Sequence, residues 1–276
     1  SSFAISYTNG DDCSGTDITS CQHPNVLMVS GFGADGLTTV GTRCTATLIQ
    51  KPTNGSNKYA FLTATHCAVG WLTNPNLKKL GVSFDPDTSA NGNVVDISHF
   101  VTGTVGVDML PTINPSFSTN NNRVSKDVGQ LQNDYAILVF MVNGADPILA
   151  KWPALANVPV AKLPQDVGFT LDNLVASVNP KDITFSATGY GIAELKALPG
   201  NSSKPDPNID DTLGTKRVAL TQSFTNLRST IVEVSQNPAQ NLNGTCFGDS
   251  GGPNYYTDPA LGEIVVAVTS QGDAVC

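Results

Sequence analysis

The sequence predicts an all-β protein, and two observations lead to that prediction. Short β-rich runs recur along most of the chain, and clusters of Gly, Asn, Pro and Asp, such as those at 54–55 and 85–87, separate them. Many short strands joined by such turns are typical of a β-sandwich or β-barrel. At 276 residues the chain can bury a large core, and β structures of this size commonly form one unit.

The elements follow in chain order. Residues 1–23 are polar and rich in Gly, Asp, Ser and Thr, which predicts an extended arm. The runs that then predict strands are 26–29, 44–49, 59–63, 80–84, 94–101 and 135–142. Prolines interrupt 143–163 and break any long helix or central strand there. A second series predicts strands at 174–178, 183–190, 213–220, 229–234 and 264–270, with an exposed, proline-containing loop at 197–211.

Charge and hydropathy exclude two classes of partner. The formal net charge is −8 and no basic cluster is present, which argues against nucleic acid and against an anionic membrane surface. The longest apolar run, 136–142, is far too short to span a bilayer. We therefore expect a soluble protein with neither nucleic acid nor membrane as a partner.

The cysteines indicate an oxidising compartment. Six cysteines in a chain that begins with Ser1 predict a mature secreted protein whose signal segment has been removed. Six thiols allow fifteen pairings, so their number alone does not choose among them. A metal site is the weaker interpretation, because no C-x-x-C occurs and His23, His66 and His99 are scattered.

The stretch Gly248-Asp249-Ser250-Gly251-Gly252-Pro253 has the pattern of a nucleophile. Glycines on both sides of a serine allow a tight turn around one exposed hydroxyl, and they leave bare N–H groups for a developing oxyanion. A glycine-rich surface turn is the alternative interpretation.

Two further stretches supply partners for such a serine. His66 follows the apolar run 59–62, and histidine is the side chain suited to take a hydroxyl proton near neutral pH. Asp134 opens the apolar strand 135–142, where a carboxylate can be buried against the imidazole and fix its tautomer.

These three segments together resemble the trypsin-like (chymotrypsin-fold) serine peptidases. Residues 63–67, 134–138 and 248–253 resemble that family's TAAHC, DIAL and GDSGGP patterns, and the order His66, Asp134, Ser250 matches the family order. The resemblance implies Ser250 as nucleophile, His66 as base and Asp134 as its orienting acid. It also implies an oxyanion hole made by the N–H groups of Gly248 and Ser250, with no cofactor and no metal.

The resemblance implies a fold of two antiparallel six-stranded Greek-key barrels with the active site in the cleft between them. The divisions are then an arm at 1–23, a first barrel at 24–142, a connector at 143–163 and a second barrel at 164–276. The family continues beyond the point that matches Cys276 into one more strand and a helix. We therefore expect a second barrel without those elements, unless a tail follows.

The resemblance also selects the disulfides. It pairs Cys44 with Cys67 and Cys246 with Cys276, which leaves Cys13 and Cys21 to close a loop in the arm.

The specificity pocket is placed by the same resemblance. Its base is Gly244 and Thr245, and its opposite wall is Ser270, Gln271 and Gly272. No acid occupies the base, which predicts a preference for apolar residues before the scissile bond, and Asp273 is the one nearby acid that could admit a basic residue instead.

One departure concerns Asp249. In the animal enzymes this acid pairs with an N-terminus released from a zymogen, usually Ile-Val, but this chain begins with Ser1, well before the segment that resembles the start of the first barrel.

We therefore expect a secreted, monomeric serine endopeptidase that acts on polypeptides and that protein inhibitors can block. A binding or regulatory protein on a protease scaffold is the alternative, since fold does not imply function. A lipase or esterase would need G-x-S-x-G and the opposite chain order of acid and histidine.

Overall fold

The computed structural model describes residues 10–35, 38–53, 55–88, 94–97, 112–113, 118–119, 131–142, 144–192, 197–198, 201–205, 214–228, 230–237, 240 and 242–271. Within these residues the chain is mainly β, as the sequence predicts. The strands are β1 (Gly10–Asp11), β2 (Val26–Phe32), β3 (Thr39–Gln50), β4 (Lys58–Thr63), β5 (Lys79–Ser83), β6 (Val95–Asp96), β7 (Thr112–Ile113), β8 (Ser118–Thr119), β9 (Leu131–Gln132), β10 (Ala136–Met141), β11 (Thr184–Gly189), β12 (Ala197–Leu198), β13 (Asn201–Pro205), β14 (Arg217–Arg228), β15 (Ile231–Ser235), β16 (Pro253–Asp258) and β17 (Gly262–Val268).

Helices are short and lie between the strands. They are α1 (Thr65–Thr73), α2 (Pro147–Lys151), α3 (Pro164–Val167) and α4 (Leu171–Ser177), with 3-10 turns at Ile18–Ser20, Pro153–Ala156 and Pro180–Asp182. Prolines begin α2 and α3, because the first position of a helix needs no N–H donor. The prolines of the connector therefore start short helices there and prevent a long one.

The first sheet has the order β6-β5-β2-β3-β4-β10-β7, with antiparallel pairing throughout. All six strands predicted for the first half of the chain contribute to it, and β7 is a seventh. Its core is formed by fully buried aromatic and aliphatic side chains, among them Tyr59, Phe61, Trp71 and Phe84. This core supports the end of β4, after which His66 comes, and the start of β10, before which Asp134 lies.

The second sheet has the order β1-β14-β11-β16-β17, and β15 also pairs with β14. The arm therefore does not stand apart from the second half of the chain, since Gly10 lies opposite Val218 in an antiparallel pair. A smaller apolar cluster around Leu174, Ile183 and Phe185 packs on this sheet.

Three expectations for the second half are corrected. Residues 174–178 are predicted as a strand, but 174–177 belong to α4 and Val178 is its C-cap. The apolar positions 171, 174, 175 and 178 follow a helical period and all pack on one cluster. Thr170 also caps that helix by accepting the N–H of Asn173 at 3.2 Å. The predicted loop at 197–211 contains the β12–β13 pair, and β16 was not predicted at all.

The disulfides follow the expected pairing where the structure describes both partners. Bonds join Cys13 to Cys21 and Cys44 to Cys67. Cys246 is also disulfide-bonded, and its expected partner Cys276 lies outside the described residues. Disulfides indicate an oxidising compartment. Among the described helices, none has the length and apolar character that crossing a membrane would require.

Candidate active site

His66 is fixed by its neighbours on both sides at the start of α1. The preceding Thr65 donates its hydroxyl to the carbonyl of Tyr135 at 2.6 Å, and the following Cys67 is bonded to Cys44 on β3. The chain thus turns from β4 into a helix, with Thr65 attached to the residue before β10 and Cys67 attached to β3. The ring itself is about three-quarters buried, with a side-chain exposure of 25%.

Asp134 contacts His66 through both carboxylate oxygens. Oδ2 lies 2.6 Å from Nδ1 of the ring, and Oδ1 accepts the backbone N–H of the same residue at 2.8 Å. The preceding Asn133 has φ of 58°, a left-handed conformation that asparagine tolerates better than most residues. This turn directs Asp134 at the histidine just before β10 begins.

The hydrogen bonds around Asp134 keep its carboxylate ionised. Burial alone would raise the pKa of Asp134, but the hydrogen bonds and charge of His66, with the hydroxyl of Ser270 at 2.5 Å from Oδ2, hold it below the ordinary value. An ionised carboxylate can only accept, so Nδ1 carries the ring hydrogen. Nε2 of the neutral ring is then the atom free to accept a proton.

Backbone contacts of Ser250 place it near His66. Its carbonyl accepts the N–H of Thr45 at 2.8 Å and lies 3.8 Å from the sulfur of Cys67, and that sulfur is 3.6 Å from Nε2 of His66. Within the described part of the chain, no hydrogen bond joins the Ser250 hydroxyl to the imidazole. Apo enzymes often have such a pair too far apart or poorly aligned, and it tightens only when substrate binds.

The turn around Ser250 requires glycine on its far side. Gly251 has φ of +82°, and a Cβ there would lie 2.2 Å from the hydroxyl oxygen of Thr63 and 2.4 Å from the carbonyl oxygen of Thr45. Gly251 also donates its N–H to the carbonyl of Thr269 at 2.7 Å, which attaches the turn to the end of β17. The glycine pattern noted in the sequence therefore has a steric cause.

Two N–H groups in this turn remain available for an oxyanion. Among the described residues, the N–H groups of Gly248 and Ser250 donate no hydrogen bond, whereas that of the intervening Asp249 donates to the carbonyl of Cys246 at 3.1 Å. Gly248 has φ of 100°, a conformation that glycine adopts without strain. These are the two donors that the sequence predicts for the oxyanion hole.

Asp249 is buried, and backbone donors satisfy its carboxylate. Gly191 donates its N–H to Oδ1 at 2.7 Å, and Cys246 donates to Oδ2 at 2.8 Å. Burial raises the pKa of Asp249 to about 6, although these two N–H groups and the charge of Arg217 oppose the rise. Glycine is needed at 189 and 191, because a Cβ at either position would overlap the carboxyl group. Ser1 lies outside the described residues.

The predicted pocket residues have different surroundings. The buried Gly244 lies against the side chain of Gln236, whose Oε1 accepts the N–H of Thr245 at 2.9 Å. Gln271 is exposed. Gly272 and Asp273 both lie outside the described residues. Ser270, predicted as a wall residue, donates its hydroxyl to Asp134. Sequence reasoning missed both this contact and Gln236, since no local pattern connects residues so far apart in the chain.

Comparison with known proteins leaves the family open. No protein-family model matches the chain, and no curated protein matches it significantly.

Proposed function

We propose that this protein is a secreted serine endopeptidase with the two-barrel fold of the trypsin-like family. The observation that carries the proposal is the two-point contact of Asp134 with His66, next to a tight turn in which Gly248 and Ser250 each have a free N–H group. The two antiparallel sheets and the disulfides are compatible with it. Each part of the arrangement has a role in acyl transfer.

The reaction would proceed through an acyl-enzyme. The Ser250 oxygen attacks the peptide carbonyl while Nε2 of His66 takes its proton, and Asp134 stabilises the imidazolium that forms. The N–H groups of Gly248 and Ser250 bind the oxyanion, and the histidine then gives its proton to the leaving amine. A water molecule activated by the same nitrogen releases the acid and restores the serine.

The proposed pocket is neutral at its described base. Gly244 and Thr245 border the amide of Gln236. The cavity that they line also contains Arg217 and Asp249, whose opposite charges offset each other, and the carboxylate of Asp249 already accepts the N–H groups of Gly191 and Cys246. A buried basic substrate side chain would need a charged partner of its own. We therefore propose cleavage after apolar residues.

A binding protein on a protease scaffold is the second candidate. Among the described residues no hydrogen bond joins the Ser250 hydroxyl to His66, which is compatible with this candidate as well as with an apo enzyme.

Turnover of casein by the purified protein separates the two candidates. We expect proteolysis that falls at least a thousandfold in Ser250→Ala, with the fold retained. Ser30→Ala is the matched control, since it removes a fully buried hydroxyl that has no hydrogen-bond partner. A wild type that is inactive, or a Ser250→Ala variant that retains near-native turnover, would refute the proposed peptidase.

A further inference from the structure

Thr45 is a fully buried residue on β3 that contacts the turn of Ser250 twice. Its N–H donates to the carbonyl of Ser250 at 2.8 Å, and its hydroxyl donates to the carbonyl of Gly248 at 3.0 Å. The same hydroxyl oxygen accepts the N–H of Tyr190 at 3.1 Å. Thr45 therefore joins the first sheet both to the turn and to the residue that follows β11.

The direction of the hydroxyl hydrogen is determined by these partners. A hydroxyl has one hydrogen to donate and two lone pairs that accept. Tyr190 can only donate through its N–H, and the carbonyl of Gly248 can only accept. The Thr45 hydrogen must therefore lie on the line to Gly248, and removal of the hydroxyl would leave both backbone groups without this partner.

These bonds hold the peptide groups on either side of the one that carries the Ser250 N–H. A peptide group is planar, so a carbonyl held in place also fixes the N–H of the same group. The group between Gly248 and Asp249 is held at its carbonyl by Thr45 and at its N–H by Cys246. The group between Ser250 and Gly251 is likewise held at both ends. Between them lies the group that carries the free N–H of Ser250, and its carbonyl, that of Asp249, accepts the N–H of Gly252 at 2.8 Å.

The side chain of Thr45 holds the carbonyl of Gly248 in place. Glycine rotates more freely than any other residue, so without the Thr45 hydroxyl only the bond from the N–H of Asp249 to Cys246 would oppose a flip of the peptide group after Gly248. A flip there would change the backbone on both sides and turn the N–H groups of Gly248 and Ser250 away from a common point.

We propose that the hydroxyl of Thr45 is a positioning group for the oxyanion hole, which it holds open by binding the carbonyl of Gly248. The inference rests on the proposed peptidase function. Thr45 does not touch the substrate. It acts on the transition state through the backbone alone.

The chain offers a matched control on the same strand. Thr47 lies two residues along β3, so its side chain is on the same face, and it is also fully buried, but its hydroxyl has no hydrogen-bond partner. Thr45→Val and Thr47→Val make the same change of hydroxyl to methyl in two equally buried places. Thr45→Ser and Thr45→Ala form a second pair that differs in the hydroxyl alone and remains usable if the valine variant does not fold.

The experiment measures kcat and KM on one peptide substrate, with active sites counted by titration. It also measures the inhibition constant of a peptidyl trifluoromethyl ketone, which forms an oxyanion when serine adds to it. Because loss of one direct oxyanion donor costs about 10²–10³ in kcat, we expect Thr45→Val and Thr45→Ala to lose at least about tenfold in kcat with KM little changed. The ketone should weaken in parallel, while Thr45→Ser and Thr47→Val stay within about threefold of wild type.

A purely structural role would lower the stability of the Thr45 variants and leave kcat per active site unchanged. Equal kcat in Thr45→Val and Thr47→Val, or in Thr45→Ala and Thr45→Ser, would overturn the inference while the peptidase proposal stands. A wild type whose Ser250 reacts with neither substrate nor ketone would overturn both.

Discussion

The buried His23 makes stability depend on pH in a predictable direction. Its Nδ1 lies 2.5 Å from the carboxylate of Asp12, its Nε2 lies 3.4 Å from Glu263, and its ring stacks on Tyr255 at 4.8 Å. Burial alone would lower the pKa of His23, but hydrogen bonds and charge interactions with the two carboxylates raise it from 6.5 to about 9. The folded protein therefore binds this proton more tightly than the unfolded chain does.

The expected magnitude follows from that difference. A raised histidine pKa stabilises the fold fully below the unfolded value of 6.5, and the contribution is lost as pH rises through about 9. At about 1.4 kcal/mol per pKa unit the whole effect is roughly 3 kcal/mol. About half of it should be lost between pH 6.5 and 8.

Lys216 and Asp249 also titrate, but they change the stability mainly outside the range from pH 6.5 to 8. Burial lowers the pKa of Lys216, whose ammonium donates to the carbonyl of His23, to about 8, although the charges of Asp12 and Asp85 oppose the fall. Its effect on stability therefore rises with pH above 8. The pKa of Asp249 is raised to about 6 in the folded protein. Its contribution to stability therefore falls as pH rises from about 4, the unfolded pKa, to about 6.

The assay is urea unfolding of the disulfide-intact protein at half-unit steps from pH 6.5 to 8. The control is His23→Gln, which keeps an amide that can donate to Asp12 but does not titrate. Wild type should lose stability across the window, while the variant stays nearly flat. A wild-type free energy of unfolding that is constant or rises with pH, or that runs parallel to the variant, would refute the assigned role of His23.

Three further predictions concern the site. Asp134→Asn should lower kcat on a fluorogenic peptide by about 10⁴-fold, because an amide can stabilise the wrong tautomer, and a loss under tenfold would contradict this role. Gly251→Ala should abolish activity and lower Tm by several degrees, since the added Cβ meets Thr63 at 2.2 Å, and calorimetry that finds a native Tm would exclude the clash. A peptide-library profile should show apolar residues before the cleaved bond, and one dominated by Lys and Arg would direct attention to Asp273.

Strands could be predicted from the sequence where β-rich residues and the turn residues around them indicate the same boundaries. Six of the seven strands of the first sheet are β-rich runs bounded by turn residues, and tertiary packing did not override them. The run at 174–178 by itself has the composition of a strand, and the residues that indicate a helix precede it: Thr170 supplies the cap and Leu171 the first apolar position. The strand Pro253–Asp258 was missed because its proline and polar residues resemble a loop.

The candidate site could be predicted in its residue types but not in its supporting contacts. His66, Asp134 and Ser250 stand in recognisable local strings. The hydroxyl of Thr45 and that of Ser270 reach partners 203 and 136 residues away in the sequence, and their own neighbours in the chain carry no sign of those contacts. Only the fold shows that Thr45 lies beside the turn of Ser250 and that Ser270 lies beside Asp134.

The most direct test of a nucleophilic Ser250 is covalent labelling with a peptidyl phosphonate that carries an apolar residue next to the phosphorus, followed by peptide mapping. The serine oxygen displaces a leaving group from phosphorus only when a base takes its proton, so the label reports the working triad. We predict one adduct per molecule, located on Ser250, and none in His66→Ala. An unlabelled wild type, an adduct on another residue, or full labelling in His66→Ala would contradict the account.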